Sequence, residues 1–284
     1  NTELDFLINS KKINKDIDLH YFDISNEEKL KTIFNQDYDL VFHLAAQTQV
    51  GDALVNPVNT FKSNIQGTWN ILELCRLKGF PIVVASSDKA YGNSEILPYE
   101  ESFPLNGIYP YEVSKSATDM LCKTYKNTYN LKVSTLRCGN IYGGGDLNWE
   151  RLVPGVIKYL LNNETPILRS NGTYKRDWVY VEDVVHAYTG VGSALLDSGI
   201  NVADSYNFSS IDYLSVIELY KKIVSKFSEN YIEPIIQVSS EFEIKDQYLS
   251  SIKIEKELGI SSNFDIDLGL ENTINWYRKF FADI

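Results

Sequence analysis

The sequence predicts an α/β protein with a doubly wound parallel sheet, followed by a smaller C-terminal α/β lobe. Strand-like apolar runs alternate with amphipathic helical stretches through the first two thirds of the chain, a pattern typical of βαβ units. The strand-like runs are almost continuously apolar, as expected for strands buried on both faces. From about Asn148 the segments become shorter and richer in turns. We therefore predict a sheet domain over residues 1–148 and a second lobe over 149–284, some of whose segments return to the first domain.

Each element is predicted from the spacing of its apolar residues. In the longest helical stretch, for example, Phe61, Ile65, Trp69 and Leu72 recur at helical spacing. Short apolar runs bounded by polar residues are predicted to be strands instead. The predicted strands are Leu19–Ile24, Asp39–Leu44, Pro81–Ser86 and Lys132–Arg137, and the predicted helices are Glu27–Asn35, Val58–Lys78, Tyr111–Tyr129, Arg151–Asn162, Ser251–Leu258 and Leu268–Phe281.

The first residues lack a feature that this architecture normally has. A Rossmann-like dinucleotide-binding domain opens with a strand, a glycine-rich turn and a helix whose N-terminus binds the pyrophosphate. No such glycine pattern precedes Asp23, and the glycine triple at 143–145 follows a late strand instead. We therefore expect the chain to be truncated at its N-terminus, so that the first strands and the glycine-rich turn are missing.

Composition and charge exclude several classes of protein. The formal net charge of -11 argues against a nucleic-acid-binding surface, which needs clustered Lys and Arg. No apolar run reaches the roughly 18 residues that span a bilayer, and residues 1–12 do not resemble a signal peptide. Cys75, Cys122 and Cys138 are widely spaced, so we expect core residues and no bound metal. The sequence thus predicts a cytoplasmic protein without nucleic-acid or membrane partners.

A tyrosine and a lysine four residues apart form the strongest chemical motif. Tyr111 and Lys115 fall on one face of the predicted helix, about one turn apart. An ammonium group near a phenol favours the phenolate and lowers the tyrosine pKa from about 10. Tyr111 is therefore predicted to be the acid/base that removes or returns a hydroxyl proton during hydride transfer.

A polar segment follows the strand predicted for Pro81–Ser86. It contains Ser87, Asp88 and Lys89, and ligands of open parallel sheets bind beyond the carboxyl ends of the strands. By itself such a segment is also an ordinary strand-to-loop turn, where Ser and Asp are common. The helix with Tyr111 follows about twenty residues later, and the combination is much more specific than either part.

Together these motifs resemble those of the extended short-chain dehydrogenase/reductases. The resemblance covers nearly the whole chain from about Leu19, and it includes several motifs in the family's order. These motifs are Asp23-Ile24, Leu44-Ala45-Ala46-Gln47, Asn64, Ser86-Ser87-Asp88-Lys89, Tyr111 with Lys115, Arg137-Cys138-Gly139-Asn140-Ile141-Tyr142-Gly143 and Arg176-Asp177-Trp178-Val179-Tyr180-Val181-Glu182-Asp183-Val184.

The resemblance implies that the first domain binds NAD and that the substrate is a nucleotide-diphosphate sugar. It implies no metal. The implied cofactor contacts are Asp23, Ile24, Leu44, Ala45, Ala46, Gln47, Asn64, Ser86, Tyr111, Lys115 and Cys138; the implied substrate contacts are Gln47, Ser87, Asn140, Arg151 and Arg176; the implied catalytic residues are Ser87, Asp88, Lys89, Tyr111 and Lys115.

The resemblance also implies a homodimer. Relatives pair the two long helices of each subunit into a four-helix bundle, which packs along coiled-coil-like seams. Both predicted helices carry apolar residues on more than one face, as such a bundle requires. These residues are Trp69, Ile71, Leu72 and Leu74 in the first helix and Met120, Leu121 and Tyr125 in the second.

Within the family, Asp88-Lys89 resembles the nucleotide-sugar 4,6-dehydratases that act on CDP-glucose, whereas those that act on dTDP-glucose carry Asp-Glu. The block from Arg176 onward departs from the CDP-glucose group and has the general family form. Many relatives also supply an arginine for the diphosphate near Gln247, which carries no charge. The resemblance therefore favours a CDP-glucose-like substrate without identifying the nucleotide.

The resemblance implies a role for each catalytic residue. Tyr111, held by Lys115, would take the 4-hydroxyl proton of the sugar while NAD accepts the C4 hydride. Ser87 would hydrogen-bond the C4 oxygen, and Asp88 would protonate the departing 6-hydroxyl if the site keeps this carboxyl protonated. Lys89 stands where relatives have a base; an ammonium group cannot accept a proton, so Lys89 acts either as a neutral amine or electrostatically.

Two other functions stay open on the sequence. A nucleotide-sugar 4-epimerase shares the oxidation by Tyr111 and Lys115 but needs no acid at Asp88. A non-catalytic remnant that has lost its cofactor loop would explain the missing glycine-rich turn. The presence of Ser87, Asp88, Tyr111 and Lys115 together favours an enzyme. The sequence does not decide between NAD and NADP, because the residue that contacts the ribose 2′ position is not recognisable.

Overall fold

In a computed structural model of the chain, which describes residues 17–210, 212–237 and 244–283, four parallel strands form the largest sheet of the described part. The register of its central strands pairs Ser87 with Cys138. The middle strands are almost wholly buried, which confirms the prediction of a parallel sheet covered on both faces. The strands lie in the order β1 (Val41–His43), β2 (Ile82–Ser87), β3 (Val133–Cys138) and β7 (Ser205–Phe208).

Helices cover both faces of this sheet. Alternate residues of β2 point to opposite faces, so Ile82 and Val84 pack into one apolar cluster and Val83 into another. The helices are α1 (Glu27–Ile33), α2 (Val50–Val55), α3 (Pro57–Phe61), α4 (Gly67–Lys78), α5 (Pro110–Tyr129), α6 (Leu152–Leu161), α7 (Val181–Leu196), α8 (Val216–Ser225), α9 (Ile252–Leu258) and α10 (Ile266–Ala282).

The second half of the chain adds shorter strands and its own apolar core. One small sheet contains β4 (Asn140–Tyr142), β6 (Lys175–Tyr180) and β8 (Tyr213–Ser215), in which β4 runs parallel and β8 antiparallel to β6. A buried cluster that includes Ile157, Leu219 and Tyr277 joins α6, α8 and α10. A second small sheet pairs β5 (Ile167–Leu168) in parallel with β9 (Ile235–Ile236).

Two predicted elements differ from the structure. The segment Leu19–Ile24 forms no strand, because no strand of the described residues lies beside it to pair with its backbone. The predicted helix Val58–Lys78 begins at Pro57, where the Asn56 side chain caps it, and a π-helical turn at Lys62–Gln66 divides it into α3 and α4. Every other predicted strand and helix is confirmed to within two residues at each end.

The cysteines are core residues, as the sequence predicts. Cys75, Cys122 and Cys138 are buried free thiols in the apolar clusters beside the sheet. Burial raises the pKa of the Cys75 thiol to about 12, so this thiol stays protonated and unreactive at neutral pH. Among the described residues, no helix combines the length and the apolar character that crossing a bilayer requires.

Candidate active site

Polar side chains converge where β2 ends. Ser87 is the last residue of the strand, and the 3₁₀ turn Asp88–Tyr91 follows it directly. The Ser87 hydroxyl donates to Asp88 Oδ1 over 2.8 Å and accepts from Lys89 N over 3.2 Å. Asp88 is 2% exposed, and its Oδ2 atom has no partner among the described residues. The strand end therefore presents a buried carboxyl group with one oxygen available to a ligand.

Helix α5 supplies the other two predicted catalytic side chains. The helix starts at Pro110, and the Glu112 carboxylate accepts from the backbone N–H groups of Ile108 and Tyr109. This cap satisfies donors that a helix N-terminus leaves free. One turn apart on α5, Tyr111 and Lys115 are both buried, and Lys115 Nζ lies 6.0 Å from the centre of the Tyr111 ring.

The electrostatics of this pair differ from the sequence prediction. Burial, together with the negative charge of Asp88, raises the pKa of Tyr111 to about 12, although the Ser87 hydrogen bond and the Arg151 charge oppose the rise. Burial also lowers the pKa of Lys115 to about 8, and its Nζ donates to Ala85 O over 3.0 Å. The prediction that Lys115 lowers the tyrosine pKa is wrong for this structure, because removing the phenolate from water outweighs the other effects.

A buried ion pair supports the strand ends, and the sequence reasoning missed it. Asp119, one turn beyond Lys115 on α5, pairs with Arg137 of β3 over 2.9 Å. Its carboxylate also accepts from Thr135 Oγ1 over 2.6 Å and from the Ser86 hydroxyl. An arginine inside an otherwise uncharged strand was the available signal, since a buried charge needs a partner. The pair fixes α5 against β2 and β3.

Several predicted cofactor residues lie at the carboxyl end of β1. Leu44 and Ala45 are exposed there, and the next polar residue, Gln47, is tied to Asn64. Asn64 Oδ1 accepts from Gln47 N over 2.7 Å, and Asn64 Nδ2 donates to Gln47 O over 2.9 Å and to Ser114 Oγ over 2.9 Å. An exposed apolar strip with polar groups at its edge suits the rings and ribose hydroxyls of NAD, so these residues fit the predicted cofactor.

The remaining predicted cofactor residues lie in different parts of the fold. Asp23 is exposed and accepts from Ser25 N over 2.8 Å, a hydrogen bond that lowers the pKa of its carboxyl. Ile24 packs so closely on α4 that a Cβ atom on Gly67 would lie 2.5 Å from its Cδ1. Ser86 is bonded to Asp119 and Cys138 is buried in β3, so both face the interior of the fold.

The predicted substrate residues occupy different positions. Arg151 lines a cleft of about 550 Å³, where it pairs with Asp146 over 3.0 Å and donates to Thr48 Oγ1 over 3.2 Å. Asn140 opens β4 and is half-buried. Arg176, by contrast, is buried, and its guanidinium donates to main-chain carbonyls that include Ile244 O at 2.7 Å. Arg151 therefore lies where it can contact a ligand in the cleft, whereas the guanidinium of Arg176 is hydrogen-bonded to main-chain carbonyl groups.

A second buried carboxyl lies near Asp88, and the sequence reasoning gave it no role. Asp177 of β6 is fully buried; its Oδ1 accepts from Ser210 N over 3.1 Å, and its Oδ2 has no partner among the described residues. Burial is the main reason that its pKa rises to about 7, and the charge of Asp88 adds to the rise. A Cβ atom on Gly139 would lie 2.7 Å from Asp177 Cβ, so a glycine is required there.

Comparison with known proteins finds relatives among the dehydratases and epimerases that act on nucleotide sugars. Residues 4–201 match the model of the NAD dependent epimerase/dehydratase family. The chain is 26% identical to a CDP-glucose 4,6-dehydratase of Salmonella typhimurium, with 95% of this chain and 79% of the relative covered. It is 32% identical to a putative UDP-glucose 4-epimerase of Methanocaldococcus jannaschii, with 95% and 87% covered.

Solved structures are similar over nearly the whole chain. A dTDP-glucose 4,6-dehydratase double mutant from Streptomyces venezuelae, with NAD bound, has a TM-score of 0.87 at 25% identity and covers 97% of this chain and 84% of its own. A UDP-glucose 4-epimerase from Thermotoga maritima, with UDP-glucose bound, has a TM-score of 0.85 at 25% identity and covers 99% and 95%. Dehydratases and epimerases are thus about equally similar to this chain.

Proposed function

Because this chain belongs to the NAD dependent epimerase/dehydratase family, we propose that it is a nucleotide-sugar 4,6-dehydratase acting on a CDP-glucose-like substrate. The product would be the 4-keto-6-deoxy sugar. The observation that carries the proposal is Asp88, a buried carboxyl with one oxygen free of protein partners, directly beside Ser87 and within electrostatic reach of Tyr111. An elimination needs such an acid, whereas hydride transfer alone does not.

The first step is oxidation at C4 of the sugar. Tyr111 takes the 4-hydroxyl proton, while the Ser87 hydroxyl orients the C4 oxygen. NAD bound beside Tyr111 and Lys115 would supply the hydride acceptor for C4 and the hydride donor for C6, and its positively charged nicotinamide ring would favour the phenolate form of the tyrosine. The buried ammonium of Lys115, held by Ala85 O, acts in the same direction and orients the tyrosine.

The second step is elimination of water across C5 and C6. The C4 ketone makes the C5 proton acidic, and Lys89 takes this proton as a neutral amine. The electron pair of the C5–H bond forms the C5–C6 double bond, and the C6–O bond breaks. Asp88 supplies the proton with which the C6 oxygen leaves as water. Two side chains that are adjacent in the 3₁₀ turn thus act on adjacent carbon atoms.

The third step restores the protein. When C6 is reduced, Lys89 returns its proton to C5, and the sugar has then lost one water in total. Tyr111 still holds the C4 hydroxyl proton, and Asp88 still lacks the proton that it gave away. Ser87 interacts with Tyr111 and donates to Asp88 Oδ1 over 2.8 Å. Its hydroxyl can therefore relay the proton from the tyrosine to the aspartate and complete the cycle.

A product assay tests the proposal. The protein is incubated with NAD and, separately, with CDP-glucose, dTDP-glucose and UDP-glucose, and the products are identified by NMR. We expect a new C6 methyl signal, strongest with CDP-glucose, and a loss of about 100-fold or more in its rate of formation for Asp88→Asn. The exposed Asp37→Asn serves as the matched control. A product that keeps its 6-hydroxyl and is inverted at C4 would instead assign the 4-epimerase function.

A further inference from the structure

The segment Asp246–Ser250 connects the second lobe to the candidate site. On one side, Gln247 N donates to Lys175 O over 3.1 Å, at the start of β6. On the other side, Tyr99 N and Tyr99 O bond to the backbone of this segment, and Ser250 N donates to Tyr99 O over 2.9 Å. Both sides of the segment are therefore fixed by backbone hydrogen bonds.

Tyr99 fixes the segment over the catalytic turn. Its ring stacks on that of Tyr91 with the centroids 4.8 Å apart, and its hydroxyl donates to Gly92 O over 2.6 Å. Tyr91 is the last residue of the 3₁₀ turn that begins with Asp88 and Lys89. The position of Gln247 relative to Lys89 thus follows from aromatic packing and hydrogen bonds on three neighbouring segments.

Gln247 contacts the lysine of the catalytic turn directly. Its side chain is 0% exposed, and its Oε1 accepts a hydrogen bond from Lys89 Nζ. The amide oxygen faces the lysine, because Nζ is the donor in this hydrogen bond and only the oxygen of an amide side chain accepts. The Nε2 group therefore points elsewhere, and it has no partner among the described residues. A buried donor without a partner is destabilising, so a ligand that accepts a hydrogen bond from Nε2 binds more tightly for it.

We propose that Gln247 is a positioning residue for Lys89 and a contact for the hexose. Its Oε1 holds the lysine Nζ toward the C5 hydrogen of the sugar, and its Nε2 donates to a sugar hydroxyl. The inference rests on the dehydratase function proposed above, in which Lys89 takes the C5 proton. An amide suits this role because it orients the lysine without adding a charge, whereas a carboxylate there would stabilise the ammonium form and remove the base.

The variant Gln247→Met tests the proposal, because it keeps the volume of the side chain and removes both hydrogen bonds. We expect the rate of dehydration to fall on the order of 10- to 100-fold, as for a misplaced catalytic group. Exchange of the C5 hydrogen with solvent deuterium, followed by NMR, should fall by the same factor. Oxidation at C4 depends on Tyr111 and Lys115, so it should continue and NADH absorbance should accumulate.

Two further variants keep the test decisive. The exposed Gln237→Met, in the same lobe, should leave turnover and NADH absorbance unchanged. Gln247→Glu keeps the shape and the acceptor oxygen, so it should fold if Gln247→Met does not. We expect it to slow C5 exchange and to accumulate NADH as well, because its carboxylate pairs with the Lys89 ammonium.

The outcomes separate this inference from the function on which it rests. A wild-type protein that dehydrates, with Gln247 variants that dehydrate equally fast and accumulate no NADH, overturns the role of Gln247 alone. Variants that lose C4 oxidation together with dehydration also overturn it, since they indicate a general structural role. A wild-type protein that yields only the C4 epimer overturns the dehydratase function and, with it, the role of Lys89 as a base.

Discussion

Individual side chains of the site owe their chemistry to burial. Tyr111 has a pKa of about 12, and Lys115 a pKa of about 8; both values are shifted toward the neutral form, as removal from water requires. At neutral pH the phenol carries its proton, so a positive charge beside it is needed before it can act as a base. The Tyr111 phenolate therefore binds a proton readily, and the phenol gives its proton up only when a positive charge lies beside it.

The variant Tyr111→Phe tests the acid/base role. We expect turnover to fall by about 10²–10⁴-fold, with substrate affinity nearly unchanged because the ring remains. Steady-state kinetics and calorimetric titration of the substrate measure the two quantities. The exposed Tyr129→Phe on the same helix is the control. A Tyr111→Phe protein that keeps more than about a tenth of the activity contradicts the role.

Asp177 makes the stability of the protein depend on pH. Its folded-state pKa of about 7 exceeds the ordinary value of 3.8, so between these pH values the folded protein binds a proton that the unfolded chain does not. The stabilising contribution of this proton is fully present below about pH 4 and is lost as the pH rises through 7. Above that pH the buried charge costs up to about 4 kcal/mol.

We therefore expect Asp177→Asn to raise the free energy of unfolding at pH 8 by a few kcal/mol relative to the wild type. The difference should shrink toward pH 4, because the folded protein then keeps the carboxyl neutral and the unfolded chain begins to protonate it as well. Urea unfolding across this pH range measures it, with the exposed Asp37→Asn as the control. A difference that does not change with pH would show that the buried charge is not the cause.

At the scale of elements, the π-helical turn between α3 and α4 places Asn64 at a junction. Asn64 is buried, and its amide joins the loop after β1, through Gln47, to α5, through Ser114. Ser114 precedes Lys115, so this junction fixes the catalytic helix relative to the strand end. A π-helical turn inside a helix often marks a functional position. Here the turn directs the Asn64 side chain toward both the loop after β1 and α5.

The variant Asn64→Leu removes all of these side-chain hydrogen bonds and leaves half-buried backbone groups of Gln47 without their partner. We expect the free energy of unfolding to fall by about 3 kcal/mol, given roughly 1–3 kcal/mol for each buried polar group left without a partner. Urea unfolding monitored by circular dichroism measures the loss. The exposed Asn59→Leu in α3 should cost much less, and equal losses in the two variants would contradict the argument.

At the scale of the whole molecule, the faces of α4 and α5 bear on the predicted homodimer. Ile71, Leu72 and Leu74 are buried within the apolar cluster beside the sheet, so they form the face of α4 that packs on the core. Trp69 remains 44% exposed and Met120 62% exposed. The two helices pack against each other, and these side chains present apolar surface to solvent.

We expect the protein to form a dimer of twice 32.4 kDa in solution through these helices. Light scattering at micromolar concentration measures the mass. Met120→Glu should shift the equilibrium to the monomer, since a charge in an apolar interface is costly, whereas Thr189→Glu, at an exposed position of α7 outside these two helices, should leave it unchanged. A monomer mass for the wild type would refute the dimer.

The sequence by itself determined the parallel sheet, the polar segment after β2, and the pairing of Tyr111 with Lys115 on one helix turn. Each of these follows from the periodicity of neighbouring residues, which local backbone geometry converts directly into faces and strand ends. The same local reasoning failed for Leu19–Ile24, because a strand also requires a partner that its own residues cannot supply.

Only the tertiary structure decided the pKa values of the buried side chains and the contacts between residues that are far apart in the sequence. The pKa values of Tyr111 and Asp177 depend on removal from water, which distant segments cause when they pack. The contact between Lys89 and Gln247 joins residues separated by 158 positions, and no local pattern indicates it. Spacing along the chain specifies which side chains share a face, whereas burial and electrostatics depend on every segment that folds against that face.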